Sequence, residues 1–280
     1  MSARPLAIVL GASADIGRNI CEMLLENGNQ VVGTYRSEFA ERDSLASRPG
    51  MRLVQADLTS PPDVQKLAAL ISTLQQPWQL LFSSVGSSEP IGRFFELDFE
   101  DWQHSIDINF MSQLRTLHAI YPYRDKSRVV DIGLLAGGGT NNPFRCYSAY
   151  CVAKIGLIKM CELLDDETGD INIFILGPGF VRTKTHYETL LAGSRAEGNL
   201  RRVREFMESG NQGTSFEDIY ACLNWSREIG RDAVGGRNIS VVHDPWGDDS
   251  LASELVKDRN MFKLRRARND FNIVAKKRED

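Results

Sequence analysis

The stretch Tyr150-Cys151-Val152-Ala153-Lys154, read with Gly11-Ala12-Ser13-Ala14-Asp15-Ile16-Gly17 near the start of the chain, decides the fold and chemistry expected of this sequence. On a helix, residues four apart lie on one face, so Tyr150 and Lys154 point at the same spot. An ammonium beside a phenol favours the phenolate and lowers its pKa from about 10. That pair suits proton transfer to or from an alcohol oxygen. The glycine-rich stretch follows the apolar run 6–10 and opens a helical pattern, as a turn cradling a dinucleotide pyrophosphate does. Together the two stretches imply redox chemistry at an alcohol or carbonyl carbon.

Working outward, apolar runs alternate with segments of helical period. Strands are expected at 6–10, 30–35, 52–55, 79–83, 128–135, 171–176 and 238–242. The first is wholly apolar, as in a strand buried on both faces. Ile16, Ile20, Met23 and Leu24 line one face of the first helix, which Gly28 stops. Ser60-Pro61-Pro62 opens a helix running to about Leu74, and long helices are expected at 100–121 and 149–168. This alternation builds an α/β fold, a doubly wound parallel sheet with helices on both faces. No internal repeat or linker divides it. One domain is expected over 1–244, with a polar lid at 180–212 and an extended charged tail at 245–280.

Composition narrows the function classes. The chain has 280 residues, 42% apolar and 25% charged, enough for a sizeable core without disulfides or metals. A net charge of -4 gives no global reason to expect nucleic-acid binding. The five cysteines form no CxxC pair and read as reduced thiols in a cytoplasmic protein. No apolar run approaches the ~20 residues of a membrane helix. His104, His118, His186 and His243 lack metal-ligand spacing, so no metal site is expected.

At the cofactor end, Gly11 and Gly17 let the backbone approach a pyrophosphate. Asp15 stands where a third glycine is usual; its carboxylate either faces phosphate, offset by Arg18, or caps the first helix. The second strand ends in Tyr35-Arg36-Ser37 rather than an acid. Arginine suits a 2′-phosphate, so NADP(H) is favoured over NAD(H). Asp57 and Leu58 after the third strand suit the adenine. Ser83-Ser84-Val85-Gly86 ends the fourth strand with small residues that let a cofactor lie close.

These elements in this order resemble the short-chain dehydrogenase/reductase family, up to about residue 243. The resemblance rests on Gly11 to Gly17, Asp57, the turn 83–86, Asn109, Tyr150-xxx-Lys154, and Gly177-Pro178-Gly179 followed by Thr183. It implies a single Rossmann domain of strand order 3-2-1-4-5-6-7 and hydride transfer between nicotinamide and a carbonyl or alcohol carbon. It implies Ser13, Ile16, Ser84 and Gly86 along the cofactor. By resemblance Tyr150 is the general acid in reduction, Lys154 holds the nicotinamide ribose, and Asn109 anchors a proton-relay water. Pro178, Gly179, Val181 and Thr183 then shape the nicotinamide pocket. The helices 100–121 and 149–168 imply a homodimer or homotetramer.

The family's usual serine at the end of strand 5 is absent. Counting back from Tyr150 lands on Gly137, and aligning the strand lands on Leu134; neither side chain can donate. Three accounts stand open. Thr140, Asn141 or Ser148 supplies the donor; or the N–H groups of Gly137 to Gly139 form an oxyanion nest; or turnover is lost and only nucleotide binding remains. Loss of such a donor costs about 100- to 1000-fold in rate. The lid is basic. Arg195, Arg201, Arg202 and Arg204 read as a solvated helix face, while Arg182 and Lys184 flank Thr183 at the mouth of the site. With Asn141 they are the candidate substrate contacts, which favours a polar, phosphorylated or sugar-like small-molecule substrate. A redox-neutral sugar-modifying enzyme and a non-catalytic NADP(H)-binding regulator share the fold. The loop Gly137 to Asn142 is loosely similar to that of short-chain dehydrogenases of bacterial surface-sugar biosynthesis.

Overall fold

The apolar run Leu6–Leu10 forms strand β1 and is buried along its whole length. Because side chains alternate across a strand, Leu6, Ile8 and Leu10 enter one core while Ala7 and Val9 enter another. The computed structural model describes residues 4–137, 142–211 and 213–266. After β1 come α1 (Asp15–Glu26), β2 (Gln30–Tyr35), α2 (Arg42–Ala46), β3 (Met51–Gln55), α3 (Pro61–Ser72) and β4 (Trp78–Ser83). Then follow α4 (Phe99–Ile106), a π-helical turn (Asp107–Met111), α5 (Ser112–Ile120), β5 (Val130–Leu135), α6 (Ser148–Glu167) and β6 (Ile171–Gly177). The chain continues through α7 (Lys184–Ala192), α8 (Gly198–Glu208), α9 (Phe216–Ile229), α10 (Arg231–Val234), β7 (Asn238–Ser240) and α11 (Asp249–Lys257).

The strands form one sheet of order β3-β2-β1-β4-β5-β6-β7, parallel throughout. This is the doubly wound α/β architecture expected from the sequence. On one face α3, α5 and α6 contribute Val64, Leu67, Ile71, Leu117, Ile120, Leu157 and Ile158. On the other, α1, α9 and α11 contribute Ile16, Ile20, Leu24, Ile219, Leu223, Leu251 and Leu255. The order reverses between β1 and β4, and the connections that leave them pass to opposite faces of the sheet, α1 to one and α5 to the other. A crevice at this point is where ligands bind in open α/β sheets.

One segment differs from expectation. Residues 249–257 are helical, not extended, and α11 returns Leu255 to full burial in the core. Arg237 straps the following residues down by donating to the carbonyls of Leu255, Asp258 and Met261. Lys263 and Arg265 pair with Asp165 and Glu162 of α6, so these tail charges are spent within the chain. Leu251, Ala252, Leu255 and Val256 do have helical spacing, but over a short stretch set among charged and polar residues. In the lid region, Arg201, Arg202 and Arg204 lie on α8 as a helix face, with α7 before it. Among the described residues no helix is long and apolar enough to cross a membrane.

Candidate active site

The turn after β1 is set by backbone need. Gly11 lies at φ +83, a conformation that L side chains rarely adopt, and a Cβ at Gly17 would overlap the Gly11 carbonyl oxygen. Gly11 N–H donates to Thr34 Oγ1 at 3.2 Å, and Ser84 Oγ donates to the carbonyls of Leu10 and Gly11. Ser84 therefore ties the end of β4 to this turn. A cleft of about 520 Å³ runs from here along Thr34, Arg36, Asp57 and Leu58, past Gly86, to Lys184 and Glu188. Its length, small-residue floor and exposed Arg36 at one end fit a dinucleotide. Asp57 shares this wall, its Oδ1 accepting from Thr59 N and Oγ1.

Asp15 caps a helix, but not its own. It is the first residue of α1, whose preceding Ala14 supplies no side-chain cap. Its Oδ2 instead accepts from Lys184 N, at the start of α7, at 3.2 Å. The glycine turn and the lid thus meet through Asp15. Arg18 bridges Asp15 and Glu41.

Lys154 lies across the carboxyl ends of β4 and β5, its Nζ donating to Val85 O and Leu135 O, both at 3.0 Å. Its Nζ sits 5.9 Å from the centre of the Tyr150 ring. Burial pulls the ammonium down from 10.5 to about 7. The Tyr150 phenol is pushed up, first by burial and then by the charges of Cys151 and Glu188. The lowering expected from Lys154 is absent because desolvation outweighs a lysine that burial itself drives towards neutrality.

Asn109 occupies the π turn and is fully buried. The turn lets its side chain bracket the post-β4 loop: Oδ1 accepts from Ser87 N, and Nδ2 donates to Ser87 O and Ser105 O. Gln113 buttresses it from beneath, donating to Asn109 O while accepting from Ser83 Oγ. A Cβ at Gly86 would lie 3.2 Å from Asn109 Oδ1 and 3.4 Å from Lys154 Nζ, so the three groups converge. Pro178 lies near Gly137, and Val181 bridges to Gly213. Gly179 lies at φ +73 against Thr214 and Val242. Thr183 precedes α7 as its cap residue, without a side-chain cap bond.

Leu134, where strand alignment puts the absent serine, is buried in the core next to Leu135, whose carbonyl accepts from Lys154. Ser148 Oγ accepts from Trp102 Nε1 at 3.0 Å. Gly138, Gly139, Thr140 and Asn141 lie outside the described residues. Arg182 donates to Met207 O in the lid and does not line the cleft. Lys184 does line it, 3.9 Å from Glu188. Arg202 stacks on Phe180, and Arg201 pairs with Glu205. The sequence reading missed Glu188, which is 4% exposed and bound to the turn 87–88. No local pattern marks it, since only tertiary contact buries it. Among the described residues no cluster of acidic, histidine or cysteine side chains is arranged for a metal ion.

A family model described as short chain dehydrogenase matches residues 5–190. The chain is 26% identical over 215 residues to benzil reductase ((S)-benzoin forming) of Bacillus subtilis, covering 74% of this chain and 86% of that protein. A short-chain dehydrogenase/reductase from Saccharomyces cerevisiae superposes with a TM-score of 0.77 at 22% identity, covering 93% of this chain and 100% of that one. A short-chain dehydrogenase/reductase of Burkholderia multivorans, solved with bound NADP, gives 0.67 at 22% identity, covering 87% and 99%. The chain therefore belongs to the short-chain dehydrogenase family and is a nicotinamide-dependent oxidoreductase.

Proposed function

We propose that the protein is an NADP(H)-dependent reductase of carbonyl compounds, with Tyr150 as general acid in reduction and general base in oxidation. The observation that carries this reading is the convergence of Tyr150, Lys154 and Asn109 at the carboxyl ends of β4 and β5, beside the cleft. Gly11, Ser13, Asp15, Ile16 and Gly17 would hold the pyrophosphate end of the cofactor, and Asp57 and Leu58 the adenine. Ser84 and Gly86 would floor the middle, Lys154 the nicotinamide ribose, and Pro178, Gly179, Val181 and Thr183 the nicotinamide. When bound, the nicotinamide supplies or accepts the hydride. Tyr150 moves the matching proton at the substrate oxygen, and Asn109 fixes the turn over which that proton is relayed.

The panel that tests this comprises simple ketones, keto-sugars and sugar phosphates with stoichiometric NADPH. Loss of 340 nm absorbance with any member supports reduction. Tight NADPH binding without oxidation favours the second reading, a nucleotide-binding regulator, which rests on the lack of a donor side chain at Leu134 and Gly137. The preference for NADP(H) rests on Arg36, exposed at the end of β2 and lining the cleft. Arg36→Asp should lower kcat/KM for NADPH by about 10- to 100-fold and raise it for NADH, by loss of a charge-assisted phosphate contact. An unchanged ratio between the two cofactors would remove Arg36 from the site.

We infer a cytoplasmic enzyme, supported by five free cysteines, and a homodimer or homotetramer. The assembly is supported by Met111, Val152 and Leu163, apolar side chains exposed on the π turn and α6. Light scattering that returned the mass of one chain would exclude it.

A further inference from the structure

Glu188 is a buried charge for which the proton-transfer reading has no task. Its carboxylate accepts from Ser87 Oγ at 3.1 Å and from Ser88 N and Oγ, both at 2.7 Å. Those donors follow Gly86 in the turn that Asn109 grips from the other side. The acid lines the cleft, and its charge reaches Tyr150 and Tyr147, contributing to the rise of both phenols. Lys184, its ion-pair partner at 3.9 Å, has a side chain 77% exposed and neutralises it only weakly. The other charged groups lining the cleft, Arg36, Glu89, Asp101 and Arg195, are exposed, and Asp57 is half-buried beside Arg36. Glu188 is thus a fixed, dehydrated negative charge close to the catalytic phenol.

We propose that Glu188 determines which substrates the site admits: uncharged carbonyl compounds enter, and anionic ones are turned away by the like charge of this buried carboxylate. This rests on the reading of Tyr150 as the proton donor. It also explains why the basic residues that point to an anionic substrate in the sequence do not make an anion pocket. Arg182 is bound to Met207 O, and Lys184 reaches into solvent with the buried Glu188 beneath it.

The test uses a matched pair of probes, a 2-oxo acid ethyl ester and the free 2-oxo acid, with NADPH and the full chain. The wild-type protein should reduce the ester and discriminate against the acid. Glu188→Gln keeps the size and the acceptor towards Ser88. It should raise kcat/KM for the acid by about 10- to 100-fold and change the ester far less. Calorimetric affinity for the acid, measured without cofactor, should rise in parallel. Equal changes for both probes, or none, overturn the proposal. Should the glutamine variant fail to fold, the wild type decides, because an acid bound and reduced as well as the ester also overturns it. If neither probe nor any panel ketone is reduced, or Tyr150→Phe leaves reduction intact, the reading of the site falls and this proposal with it.

Discussion

Tyr150→Phe should lower kcat for carbonyl reduction by about 100- to 10,000-fold, the range of a lost general acid, while NADPH affinity stays almost unchanged. The substitution removes one hydroxyl and keeps the ring. The ring packs beside Ile91, Cys146 and Tyr147, so the fold has no reason to move. The affected term is proton delivery to the substrate oxygen. Burial and the charges of Cys151 and Glu188 hold the phenol protonated well above neutral pH. Reduction, which consumes that proton, should therefore run at full rate at pH 7. Oxidation needs the phenolate and should climb as pH rises. Stopped-flow rates in both directions between pH 6 and 10 check both statements. A phenylalanine variant with wild-type kcat would show that the proton comes from elsewhere.

Parts of this site were legible in the sequence because backbone demands are local. Gly11 and Gly17 are needed where they stand by a positive φ and a close approach, and no tertiary context changes that. β1 could be read because it is buried on both faces and apolar throughout, and β6 because it is apolar but for the buried Asn172, whose side chain donates to Asp131. The helical spacing of Tyr150 and Lys154 was equally visible, but the direction of the Tyr150 shift was not. A pairwise rule assigns the lysine its full charge, whereas burial has already lowered it to about 7. The π turn at 107–111 leaves no mark on apolar periodicity, yet it sets where Asn109 points. Glu188 and Asp15 act across the chain, on Ser88 and on Lys184, so their partners lie far outside any sequence window.

Lys154→Met should make the cofactor-free protein more stable at pH 7 and far less active, with kcat lower by roughly 100-fold. The lysine is 3% exposed and carries a pKa of about 7 against 10.5 in its ordinary state. Below pH 7 it is charged both folded and unfolded, and folding bears the full desolvation cost. Between about 7 and 10.5 the unfolded chain binds more protons than the native one, so stability rises with pH across that window. Above 10.5 the cost is gone. A displacement of that size corresponds to several kcal/mol. Methionine removes the cost but leaves Val85 O and Leu135 O without the donor they have now, a loss of about 1–3 kcal/mol. The net gain expected at pH 7 is therefore about 1–3 kcal/mol. It should shrink and then reverse as pH approaches 10.5, where only the lost hydrogen bonds remain. Urea unfolding of both proteins at pH 7 and pH 10 measures the crossing. A methionine variant less stable at pH 7 would mean that the two carbonyl bonds outweigh burial, and that Lys154 is held as a settled cation rather than at a cost the cofactor site requires.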